Sequence, residues 1–123
     1  MPVERLVLPV LLEQHHGEKA WAGEAARHAT ALGLDLIITD HHEPDTELPS
    51  AFAVINPKRA DCSYPDKYLA GVGVALKLVQ AICVRAGKAK WMPAFVKIAA
   101  IGTLADVVPL VGENRIIARH GLT

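Results

Sequence analysis

The chain has 123 residues, enough for one domain and too few for two. Apolar residues make up 51% of it, which excludes intrinsic disorder and permits a real core. Thirteen basic residues balance 13 acidic ones, so no net charge draws the chain to nucleic acid or membrane; a nucleic-acid partner must be held by a local patch or through metal.

In chain order, residues 6–12 form an apolar run too short to span a bilayer and interrupted by Pro9. Glu4 spoils a positive leader region, and no small-residue cleavage site follows, so the expectation is a soluble protein without a membrane partner. If this run is a strand, Pro9 confines it to a sheet edge. Residues 13–17 are polar, and His15 and His16 read as solvated histidines. Residues 18–32 are rich in alanine and predict a helix stopped by Gly33, with Trp21, Ala25, Ala29 and Leu32 on its inner face. Leu36, Ile37 and Ile38 then form a short β-prone run, of the kind that suits a parallel strand buried on both faces.

Asp40, His41 and His42 follow that strand directly. Open parallel sheets carry their ligand sites at the carboxyl ends of their strands. A carboxylate beside two imidazoles suits a hard-to-borderline divalent cation such as manganese, magnesium or zinc. The bland alternative is a polar strand end that caps the next turn. Position favours a functional site.

Residues 43–49 hold Pro44, Asp45 and Pro49 and read as a turn; residues 52–55 read as a second strand, stopped at Asn56 and Pro57. Residues 56–68 form a long polar loop. In it Lys58, Arg59 and Lys67 are suited to phosphates and Tyr64 or Tyr68 to stacking on a base, with plain solvation an equal alternative. Residues 69–86 predict a helix, in which Gly71 and Gly73 permit close approach of either a packed neighbour or a phosphate, packing being favoured. Pro93 opens a third helix, apolar nearly all round and therefore expected to be buried. It ends near Asp106, a lone carboxylate among apolar residues that must be paired, neutralised or bound to metal; an ion pair with Arg115 is one way. Gly112 is a turn, and a last helix runs over residues 113–122. The whole is α/β, a mostly parallel sheet flanked by helices. Cys62 and Cys83 have neither metal-finger spacing nor disulfide density, as expected of free thiols in a reducing cytoplasm.

Three stretches carry a family resemblance: Gly33-Leu-Asp-Leu-Ile-Ile-Thr-Asp-His-His42; Val54-Ile-Asn-Pro-Lys-Arg59 continuing to Leu69-Ala-Gly-Val-Gly-Val-Ala75; and Ile101-Gly-Thr-Leu-Ala-Asp-Val-Val-Pro-Leu-Val-Gly-Glu-Asn-Arg115. With them, residues 24–123 resemble part of the DHH phosphoesterase superfamily, specifically its RecJ branch of single-strand-specific DNA exonucleases. The first stretch matches the superfamily's third motif and the last its fourth. The run through Glu113, Asn114 and Arg115 favours the RecJ branch over the pyrophosphatase or oligonucleotide-phosphatase branches.

The resemblance implies a metal-dependent 5′-to-3′ exonuclease acting on single-stranded DNA in repair and recombination. It implies His41 and Asp106 as ligands of manganese or magnesium, His42 facing the scissile phosphate, and Asp40 orienting the histidines. Asn114 and Arg115 either touch the nucleic-acid backbone or brace the motif. The chain departs from the pattern at its start. The family's first motif, with two or more aspartates on an earlier strand, has no counterpart, and residues 13–17 read Glu-Gln-His-His-Gly where a second-motif aspartate is expected. The expected ligand set is therefore about half present, and residues 1–23 are divergent. The expectation is one partial DHH-type domain, residues 1–123, weak or inactive alone. Alternatives are a small oligonucleotide phosphatase or pyrophosphatase, or a non-catalytic interaction module. An exposed sheet edge predicts self-association.

Overall fold

The computed structural model describes the backbone of residues 7–11 and 19–123 and the side chains from Ala22 onward. Glu13, His15, His16 and the Trp21 side chain lie outside the described residues. The elements are β1 (Val7–Leu11), α1 (Lys19–Ala31), β2 (Asp35–Thr39), β3 (Ala53–Ile55), α2 (Gly71–Arg85), a short 3₁₀ turn (Ala89–Trp91), α3 (Met92–Ala105) and α4 (Gly112–Gly121).

The three strands form one parallel sheet in the order β1-β2-β3. Pro9 pairs in register with Ile37 on β1, an edge strand, which is where a residue without an N–H can sit. Side chains alternate across the sheet. Leu36 and Ile38 of β2 and Val54 of β3 pack on one face against Ala22, Ala26 and Ala29 of α1. Ile55 points the other way, into a second core of Leu69, Val74, Leu76, Ala99, Ala100 and Ile117 built from α2, α3 and α4.

Two expectations about burial are corrected. Leu32 does not join the inner face of α1: the helix stops at Ala31 and Leu32 is exposed. Nor is α3 buried all round. It buries Ala99, Ala100 and Thr103, small residues that let α2 and α4 approach closely, but Ile98 and Ile101 are 64% and 67% exposed. With Leu104 and Val107, also exposed, they form an apolar stripe at three-residue spacing.

The free edge of β3 is closed. The carbonyl of Ile55 accepts the amide of Asp40 on the β2 side, so the Val54 carbonyl points outward. Arg59 covers it, Nη1 donating at 2.6 Å, while the same guanidinium is forked onto Asp61. Lys67 donates to the carbonyls of Pro57 and Cys62, stapling the loop, and Lys58 pairs with Glu43 at 3.3 Å. The basic residues of this loop, read as candidates for phosphate, are thus largely spent on its own folding; Tyr68 alone of the two tyrosines is exposed.

Asn114 ties the second half together. Fully buried on α4, its amide donates to the carbonyls of Tyr68 (2.6 Å) and Pro109 (3.0 Å) and accepts from the amide of Ala70 (3.1 Å). Asp66 adds a carboxylate on the Glu113 amide in the first turn of α4. Asn114→Ala leaves buried backbone groups unpaired and is expected to cost about 3 kcal/mol. The check is a urea titration, in which the midpoint falls while its slope stays constant.

Candidate metal and phosphate site

Parallel pairing with β3 carries β2 to Thr39, and the chain turns there on the Asp40 carboxylate. Asp40 Oδ1 accepts the backbone amides of His41 (2.7 Å) and His42 (3.1 Å) and lies 2.5 Å from His42 Nδ1. A carboxylate oxygen accepts, so His42 donates from Nδ1, and Nε2 is the ring nitrogen left to face outward from the turn. That Nε2 is buried with no hydrogen-bond partner, a costly arrangement unless a ligand takes it.

His41 turns the opposite way, towards α3. Its Nε2 lies 3.4 Å from Asp106 Oδ2, and its ring stands 4.2 Å from the His42 ring, centroid to centroid, at 54°. Burial pushes the His41 pKa below its usual range, and the opposing pull of Asp106 does not restore it. Burial thus favours the neutral imidazole, the form that ligates metal. Gly71, at the start of α2, makes the room: a Cβ there would lie 3.2 Å from His41 Cδ2.

Asp106 is less buried than the sequence suggested, with 38% of its side chain exposed, and His41 rather than Arg115 is its recorded partner among the described residues. Arg115 is exposed on α4. Asn114 is buried, and its side chain is engaged with backbone groups as a brace. Immediately after Asp106, Val107 has φ 56°, a left-handed conformation that a β-branched side chain adopts only under strain.

The structure thus brings Asp40, His41, His42 and Asp106 together, while Asn114 is engaged with backbone groups and Arg115 lies exposed on α4. The chemistry of this donor set fits a divalent ion in part: His41 and Asp106 offer one nitrogen and one carboxylate. Among the described residues, no group of three or more His, Cys, Asp or Glu side chains gathers as a complete cage. Sequence reasoning missed Asn56, taken only as a strand stop. Its Nδ2 donates to the His42 carbonyl at 2.8 Å, and its Oδ1 accepts from the Lys58 amide at 2.9 Å. An Asn-Pro pair directly after a strand was the available signal. Behind Asn56 opens a largely apolar cleft of about 350 Å³ between β3 and α2, lined by Val54, Ile55, Tyr64, Leu69, Val74 and Lys77 among others. At its rim Glu113 accepts from both Tyr64 and Lys77. Burial is the largest influence on Lys77 and works against its charge, but the hydrogen bond and charge of Glu113 together with Tyr64 outweigh it and raise the pKa.

The family described as "DHH family, N-terminal domain" matches residues 10–103. The chain belongs to the DHH family. Within it, the chain is similar to the single-stranded-DNA-specific exonuclease RecJ of Bacillus subtilis, 53% identical over 97 residues, covering 79% of this chain and 12% of that protein. The RecJ of Salmonella typhimurium is 42% identical over 118 residues, covering 88% of this chain and 20% of that protein. A crystal structure of exonuclease RecJ bound to manganese superposes with a TM-score of 0.73 at 29% identity, covering 94% of this chain and 28% of that one. The chain therefore spans only a minor part of the length of the relatives it matches. The likeness bears out the α/β fold with a parallel sheet and the RecJ-branch resemblance of the DHH-type core. Among the described residues, no helix is long and apolar enough to cross a membrane, and both cysteines are free.

Val107→Gly removes the left-handed strain and an exposed side chain that packs on little. It is expected to stabilise the fold by about 1 kcal/mol, the ordinary cost of a non-glycine residue in that region less the added chain entropy. A rise in the thermal midpoint is the check; a fall would mean the valine side chain is held by contacts its exposure does not suggest.

Proposed function

We propose that this chain carries part of the catalytic site of a metal-dependent, RecJ-type exonuclease that hydrolyses single-stranded DNA from its 5′ end in repair and recombination. The observation that carries the reading is the meeting of His41 on the β2 turn with Asp106 at the end of α3, within 3.4 Å. Membership of the DHH family and the manganese held by the related exonuclease support it.

In this reading His41 and Asp106 hold manganese or magnesium. The ion, when bound, supplies charge neutralisation at the phosphate and an activated water. His41 contributes a lone pair kept free by burial. Asp40 fixes the His42 ring through Nδ1, so that Nε2, when it carries a proton, would donate to a phosphoryl oxygen, and Arg115 is available to the nucleic-acid backbone. Residues 1–123 act as one partial DHH-type domain, and the incomplete donor set makes the chain alone a weak or inactive hydrolase. Closure of the β3 edge leaves the β1 edge as the place for self-association. Elution that is independent of concentration would remove that part of the reading.

Manganese titration tests the site. The chain is expected to bind the ion, and His41→Ala and Asp106→Asn each to weaken binding at least about tenfold, as loss of one of few ligands does. Unchanged affinity in both variants would sink the assignment. Alongside it, hydrolysis of 5′-labelled single-stranded DNA with manganese is expected to be slight. Vigorous turnover abolished by Asp106→Asn would show the donor set to be complete and overturn the weak-alone expectation, and preference for a dinucleotide would favour a small phosphatase.

A further inference from the structure

The Asp40–His42 turn is held at several points, and they differ in origin. Asp40 supplies its own carboxylate to the two histidine amides. The other handles come from the end of β3: the Ile55 carbonyl takes the Asp40 amide at 3.0 Å, and the Asn56 amide group holds the His42 carbonyl at 2.8 Å. Asn56 is 4% exposed, so this bond is made away from competing water. Its orientation is not free to flip: Oδ1 accepts the Lys58 amide, which commits Nδ2 to donate to His42. On the far side, Gly71 presents bare backbone to the His41 ring. A Cβ there would lie 3.2 Å from His41 Cδ2, so the ring that stands 3.4 Å from Asp106 would have to give by a few tenths of an ångström.

We propose that Asn56 and Gly71 are positioning residues for the histidine pair. Asn56 fixes the peptide that carries the His42 ring, and Gly71 reserves the space in which His41 meets Asp106. The roles assigned to the pair rest on the function proposed above; the positioning does not. Asn56→Asp is the sharpest probe, because it keeps the acceptor for Lys58 and replaces only the donor facing the His42 carbonyl. Gly71→Ala probes the other side.

The test has two readouts on the full 123-residue chain. Nitrogen-15 spectra of the histidine rings, recorded without metal at pH 8, report position directly. The wild type is expected to show His42 as a single Nδ1-protonated tautomer. In Asn56→Asp that signature is expected to give way to a tautomer mixture. In Gly71→Ala the His41 resonances are expected to move while the His42 tautomer holds, which keeps the test decisive if Asn56→Asp fails to fold. Unchanged ring spectra in the folded variants would overturn the proposal whatever the metal does. The second readout is manganese affinity from the free-ion electron paramagnetic signal, expected to weaken at least about tenfold in Asn56→Asp, the range for residues that orient metal ligands. Altered rings in a chain that binds no manganese even as wild type would uphold the positioning and defeat the metal reading.

Discussion

One buried amide holds the second half of this fold in register. Asn114 takes two carbonyls and an amide from three separate segments: the loop before α2, the start of that helix, and the turn after α3. Each of those backbone groups would otherwise need water in a place that has none. Because α3 ends at Asp106 and α2 begins at Gly71, the same clamp sets where the Asp106 carboxylate and the His41 pocket stand relative to each other.

The other half of the site is organised by a single carboxylate oxygen. Asp40 Oδ1 receives two amides and an imidazole, which fixes backbone and side chain at once. The two histidines consequently have different neighbours, one meeting a carboxylate on a distant helix, the other with a buried Nε2 that has no hydrogen-bond partner among the described residues. A single strand end thereby presents two imidazoles in different settings, which is what the proposed division between metal and phosphate uses. The parallel sheet makes this possible by delivering the end of β3 beside the end of β2.

Much of this was legible in the amino acids. Alanine density and Gly33 marked α1 to within a residue, and the β-branched run marked β2. Asp-His-His after a strand marked the turn that carries the candidate site, whereas the lone acid at the end of α3 was joined to it only by the family resemblance, the residues alone offering Arg115 as its partner. What was not legible depended on long-range backbone contacts. Asn56 and Asn114 bind carbonyls, which leave no trace in side-chain pattern. The loop cations looked available because their partners, the carbonyls of Val54, Pro57 and Cys62, are invisible in a sequence. The periodicity of α3 promised burial all round, but a three-helix layer this small has neighbours enough only for its small-residue face.

The exposed aliphatic stripe of α3 has a consequence for the acid at its end. Ile98, Ile101, Leu104 and Val107 lead up to and past Asp106, whose carboxylate is itself over a third exposed. Bulk water therefore sets the local dielectric, and the attraction between Asp106 and anything positive near His41 is weak. Covering that stripe would expel the water. By Coulomb's law, passing from a solvent-like dielectric to an effective value of about 20 multiplies the attraction roughly fourfold. The reach of the Asp106 charge thus depends on the solvent around the end of α3 as well as on the residues it meets.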